Sequence, residues 1–107
     1  MNLDFIKLKD KTYIFEPSFQ RQSAKLIKAT ALTQTQIDKT ITLYKSEKNN
    51  PKLHYHKIVC KKDKCRKSIA LLDTNQQYKI LLSEQQDKIY FIFIGHHKKY
   101  DRLNKEC

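Results

Sequence analysis

The sequence predicts an α+β fold: one strand, two helices, then an antiparallel meander of four strands. Two observations carry this. Apolar residues recur at helical spacing between residues 19 and 44, and after Pro51 the period falls to two, in short β-branched and aromatic runs separated by polar turns. A length of 107 residues with 39% hydrophobic content suits one modest core, so a single domain over 1–107 is expected, its core running from about 12 to 103.

Thr12-Tyr13-Ile14-Phe15 is aromatic and β-branched and reads as the first strand. Glu16-Pro17-Ser18 then starts a helix with Pro in its first turn, and Phe19, Gln22/Ser23, Leu26 and Ile27 form its inner stripe as far as Lys28 to Thr30. Thr33-Gln34-Thr35-Gln36 fits a capping box, and Ile37, Ile41 and Tyr44 continue one helical face. Asn49-Asn50-Pro51 stops this second helix, because the residue before proline is pushed out of the helical region. Alternation over Tyr55 to Cys60 predicts a strand, and Lys61 to Lys64 a charged hairpin turn. Ser68 to Asp73, Tyr78 to Ser83 and Lys88 to Gly95 complete the meander. The last is apolar throughout and so belongs in the sheet centre, while the two helices cover one face.

The formal charge is +11, with seven basic residues between Lys52 and Lys67 against Asp63 alone. So much self-repulsion points to an acidic partner: RNA, DNA or an acidic protein. No apolar run approaches the roughly 18 residues of a membrane span, and the first residues carry no secretory pattern, so a soluble, cytoplasmic protein with no membrane partner is expected. Three cysteines make no paired framework, and Cys60, Cys65 and Cys107 are expected to be reduced, Cys107 at a frayed end. His54, His56, Cys60, Cys65, His96 and His97 are potential metal ligands, but no second tight pair completes a zinc pattern, and neither metal nor cofactor is expected.

The only glycine, Gly95, ends the central strand and is followed by His96-His97-Lys98-Lys99-Tyr100. Imidazoles, a phenol and cations together can cleave RNA. A base takes the 2′-hydroxyl proton, the oxygen attacks its own 3′-phosphate, an acid protonates the departing 5′-oxygen, and cations stabilise the phosphorane. A histidine can take either proton role at physiological pH, and Tyr100 can position or donate. Lys57, Arg66 and Lys79 are candidate electrostatic stabilisers, and Lys61, Lys62, Lys98 and Lys99 further phosphate contacts.

From Tyr13 to Leu103 the chain resembles the RelE/ParE superfamily of type II toxins, most closely its RNA-cleaving branch. The resemblance rests on Leu53-His54-Tyr55-His56-Lys57-Ile58, on Tyr78-Lys79-Ile80-Leu81, and above all on Ile94-Gly95-His96-His97-Lys98-Lys99-Tyr100. It places His97 at the signature histidine, Tyr100 at its aromatic, and Lys79 where the pattern has a phosphate-binding arginine, with Lys98 where it has aspartate; this makes His97, with Tyr100 assisting, the preferred proton-transfer residue and His56 the second. It implies a metal-independent endoribonuclease acting on mRNA, often on the ribosome, silenced by a cognate antitoxin through an acidic or amphipathic segment. The alternatives are a gyrase-inhibiting toxin of the ParE branch, acting by binding, and a non-catalytic RNA-binding module.

Overall fold

The sheet is built around the most apolar strand. In the computed structural model, which describes residues 11–105 and Cys107, the elements are β1 (Thr12–Phe15), α1 (Pro17–Ala29), α2 (Gln34–Glu47), a 3₁₀ turn (Pro51–Leu53), β2 (His56–Lys57), β3 (Arg66–Ala70), β4 (Tyr78–Glu84), β5 (Lys88–His96) and α3 (His97–Lys105). Among the described residues the sheet order is β1-β5-β4-β3-β2. The expected meander is present, and β1 joins it parallel to β5 with Phe15 opposite Phe91. The expected domain runs over 1–107, of which the first ten residues and Glu106 lie outside the described set.

Helices α1 and α2 cover one sheet face. Phe19, Ile37, Ile41 and Tyr44 pack with Ile69, Ile80, Leu82, Ile89 and Phe91 in the main core, where Phe15 stacks on Phe91 at 4.7 Å between ring centres. Thr33 caps α2 as its sequence implies, accepting from the Gln36 amide at 3.1 Å. The Gln36 side chain does not reach back to complete the box; it donates to the Leu72 carbonyl at 2.6 Å, tying helix to sheet. A carboxylate closes this layer at its far end. Glu84 accepts from the Tyr44 hydroxyl at 2.5 Å and the Tyr55 hydroxyl at 2.6 Å, with Lys48 and Lys67 each 3.7 Å away. Burial pushes the Glu84 carboxyl upward, but the two phenols and two ammonium groups outweigh it and hold it below the usual carboxylate range.

Three expectations need correction. The strand expected over Tyr55 to Cys60 shrinks to His56–Lys57 and leaves Val59 87% exposed. Two anchors draw the chain off the ladder: His54 sits in the left-handed region at φ 49°, and Cys60 forms a disulfide with Cys107, whose carbonyl accepts from the Lys61 amide at 3.3 Å. The thiols are therefore not all reduced, and Cys107 is tied rather than frayed; Cys65 remains free. The strand expected over Ser68 to Asp73 runs from Arg66 to Ala70, because α2 takes over the Leu72 backbone, Thr40 accepting its amide at 3.1 Å. The polar cluster after Gly95, to which the sequence assigned no element, forms helix α3, which packs on the second sheet face, opposite α1 and α2.

Candidate active site

Helix α3 starts without the side chains that usually announce a helix. Its cap is an imidazole: the Lys98 amide donates to His96 Nδ1 at 3.3 Å, and the His97 amide donates to the Gln77 carbonyl at 2.8 Å. The first turn of α3 is thus bonded both to the end of β5 and to the turn between β3 and β4.

Cross-strand register decides what lies beneath it. His56 pairs with Ser68, Ser68 with Leu81, and Leu81 with Phe93; Ala70 pairs with Lys79 and Lys79 with Gly95. Because side chains alternate along strands, these residues share the face opposite the main core. Phe93, Leu81 and Tyr100 form a small second core there, with Ile58 and Ile92 at its margin. Gly95 is needed for close approach rather than for a turn. A Cβ at that position would lie 2.6 Å from Phe93 Cζ, so the missing side chain is the space the phenyl ring occupies.

Beside this cluster is a shallow cleft of about 380 Å³ lined by His56, Asn75, Gln76, Gln77, Lys79, His97, Tyr100 and Asp101. A larger depression of about 790 Å³ lies between α1 and α2, lined mainly by residues such as Phe19, Ile27, Ile37 and Ile41; it holds neither histidine nor tyrosine. The acid–base groups are in the smaller one.

The two cleft histidines are held differently. His56 Nδ1 is 2.7 Å from the His54 carbonyl oxygen. A carbonyl only accepts, so Nδ1 carries the hydrogen, and in the neutral ring Nε2 presents a lone pair. The left-handed turn at His54 aims that carbonyl. His97 Nδ1 lies 3.8 Å from Asp101 Oδ2, one helical turn on, and the imidazole stays 42% exposed. Tyr100 is only 6% exposed. Burial raises its phenol, as does the charge of Asp101, while the neighbouring Ser68 and Asn104 side chains pull the other way; the net shift is upward. Ser68 Oγ and Asn104 Oδ1 are buried nearby without meeting strict hydrogen-bond geometry. Tyr100 therefore stays protonated at neutral pH, as a donor and a packing anchor for α3.

The cleft thus brings together His56, Lys79, His97 and Tyr100. It does not include the other predicted cations. Arg66 is paired with Asp63 at 3.3 Å, Lys57 points to the opposite face from its neighbour His56, and Lys61, Lys62, Lys98 and Lys99 are exposed outside the lining. Burial raises the Asp63 carboxyl, but the Ser83 hydroxyl, the Cys65 amide and Arg66 outweigh it and hold it low, so Arg66 is engaged locally. Three features were not anticipated: Asp101, the amides of Asn75, Gln76 and Gln77, and the His54 carbonyl. Asp101 is four residues from His97 and becomes visible once α3 is recognised as a helix.

The arrangement of a five-stranded mixed sheet between an α1/α2 layer and a single carboxy-terminal helix is the fold of the RelE/YafQ-type toxins. Three solved structures share it. YafQ in the Escherichia coli DinJ–YafQ toxin–antitoxin complex superposes with a TM-score of 0.71 at 9% identity, over 85% of this chain and 97% of that one. A copper-bound mutant of a Helicobacter pylori toxin gives 0.67 at 19%, covering 83% and 97%. The Helicobacter pylori protein HP0892, a conserved hypothetical protein, gives 0.62 at 14%, covering 84% and 98%. Neither a protein-family model nor a curated protein sequence matches the chain.

Proposed function

We propose that this chain is the toxin of a type II toxin–antitoxin pair, a cytoplasmic endoribonuclease that cuts mRNA on the ribosome. The reading is supported by the toxin fold, and one observation carries it: His56 and His97, differently held, line the same cleft as Lys79. His56 Nε2 removes the 2′-hydroxyl proton, and the oxygen attacks the adjacent phosphorus. As the P–O5′ bond breaks, His97, acting as the acid beside Asp101, gives a proton to the 5′-oxygen. The products are a 2′,3′-cyclic phosphate and a 5′-hydroxyl. Lys79 stabilises the phosphorane, and no metal is required because acid, base and cation are all side chains. Lys61, Lys62, Lys98 and Lys99 extend the positive surface along the RNA, and a cognate antitoxin with an acidic or amphipathic segment neutralises the +11 chain.

Induced expression of the wild type, His97→Ala and His56→Ala, with growth curves and 5′-end mapping of transcripts, tests the reading. Growth arrest with new 5′ ends is expected from the wild type and is expected to vanish in both variants. Arrest with intact transcripts would reject it in favour of inhibition by binding.

A further inference from the structure

The cleft has a wall that the acid–base mechanism does not use. The turn joining β3 to β4 contributes three consecutive amide-bearing residues, Asn75, Gln76 and Gln77, all exposed and all lining the cleft shared by His56 and His97. Elsewhere the glutamine amides of α1 and α2 bond to the protein itself: Gln20 to the Phe15 carbonyl, Gln22 to the Ile94 amide, Gln34 to Asp38 and Gln36 to the Leu72 carbonyl. No such bond engages Asn75, Gln76 or Gln77 among the described residues.

The backbone holding these amides is fixed by other atoms. Thr74 Oγ1 donates to the Leu71 carbonyl at 2.8 Å and accepts from the Tyr78 amide at 3.4 Å; the Gln77 amide donates to the Thr74 carbonyl at 3.0 Å, and the Gln77 carbonyl receives the His97 amide. Asp73, Asn75 and Gln76 all take positive φ, at 62°, 53° and 63°. For a side chain such as glutamine this is unfavourable, and a β-carbon is retained there although glycine would fit more easily. A turn tied to the first turn of α3 thus presents donor–acceptor groups not engaged by the protein beside the proton-transfer residues.

A side-chain amide is suited to a nucleobase edge, since it offers a donor and an acceptor side by side, whereas phosphate is bound by cations. Single-stranded RNA exposes such edges. We infer that the Asn75–Gln77 turn is the specificity element of the cleft, reading the hydrogen-bonding edge of a base that flanks the scissile phosphodiester. The inference rests on the nuclease reading and adds to it the group that selects where the cut falls.

The test uses the left-handed backbone itself. Asn75→Gly with Gln76→Gly removes two amides at positions where glycine relieves the backbone, and Gln76→Asn alone keeps both amides, the second now on a residue that tolerates positive φ. Full-length wild type and variants are expressed, and cut sites are mapped with the base frequency at each flanking nucleotide. The wild type is expected to show a base preference at one flanking position. The glycine variant should lose at least about fivefold of that preference while still cutting, and the single Gln76→Asn variant should keep part of it. A wild type that cuts without flanking preference, an unchanged preference in the glycine variant, or a uniform loss of cutting at every site would each overturn the inference while leaving the nuclease reading standing. A wild type that does not cut at all would instead remove the nuclease reading on which it rests.

Discussion

Gly95→Ala is the substitution whose consequence the geometry specifies most closely. The new methyl would meet Phe93 Cζ at 2.6 Å and the two adjacent ring carbons at 3.2 and 3.3 Å. Carbon atoms pack best at about 3.5–4.0 Å, so the ring tip has to move by about 1 Å. Phe93 is 2% exposed and packed with Leu81 and Tyr100, so the ring moves against these neighbours. Overpacking of this kind costs about 1–3 kcal/mol. Because Tyr100 anchors α3, the shift also reaches His97, and misplacement by about 1 Å at a reacting group lowers rates by about a hundredfold. Urea unfolding of wild type, Gly95→Ala, Phe93→Leu and the double variant measures the effect, since shortening Phe93 makes room for the methyl. The double variant should be more stable than the two single costs predict, by about 0.5 kcal/mol or more. Strict additivity, or a Gly95→Ala chain within about 0.5 kcal/mol of wild type, would refute the close-approach role.

Other outcomes follow from the same contacts. Glu84→Gln removes a charge that accepts from two phenols and should cost about 1.5–3 kcal/mol in chemical denaturation. The Glu84 carboxyl titrates lower folded than unfolded, so its contribution is complete above the ordinary carboxylate range and is lost as pH falls through the folded value; stability of the wild type should fall more steeply in acid than that of the variant. Tyr44 and Tyr55 are raised, mainly by burial and then by Glu84, so they withdraw stability as pH climbs past about 10, where the unfolded phenols ionise. Thiol titration of the denatured, unreduced chain should find one reactive cysteine, Cys65; three would contradict the Cys60–Cys107 bridge, and Cys107→Ser should cost about 2–4 kcal/mol. Lys79→Ala should slow cleavage about 10²–10³-fold, with Lys79→Arg retaining most of the rate, if the positive charge opposite Gly95 serves the transition state.

Much of the fold was legible because local signals agreed with the tertiary outcome. Pro17 and Thr33 start helices where their chemistry dictates, Asn49-Asn50-Pro51 stops one, and the unbroken apolar run of β5 does sit between two neighbours. What escaped was decided by long-range contacts. Helix α3 has no Ser, Thr, Asp or Asn cap and places Lys98 and Lys99 at its amino-terminal end, where the helix dipole disfavours cations; its start is fixed by His96 and by Gln77, twenty residues upstream. The short β2 is likewise set by the bridge from Cys60 to Cys107, a partner 47 residues away. The cleft was half legible: two histidines, a tyrosine and a lysine of its lining were named from the sequence. Asp101 depended on knowing that α3 is helical, and the amide turn on backbone angles that polar, turn-like residues do not announce.

The central claim is a division of labour between two imidazoles, and a change of leaving group tests it most directly. An mRNA carrying a single 5′-bridging phosphorothiolate, presented on programmed ribosomes, has a sulfur leaving group that departs without protonation. Wild type and both variants are compared on the oxygen and sulfur substrates. On the oxygen substrate both variants should be slowed about 10²–10⁴-fold. On the sulfur substrate His97→Ala should recover to within about tenfold of wild type, because its proton is no longer needed, while His56→Ala should stay slow, because the 2′-hydroxyl still has to lose its proton. Equal recovery of both, or recovery of neither, would contradict the account.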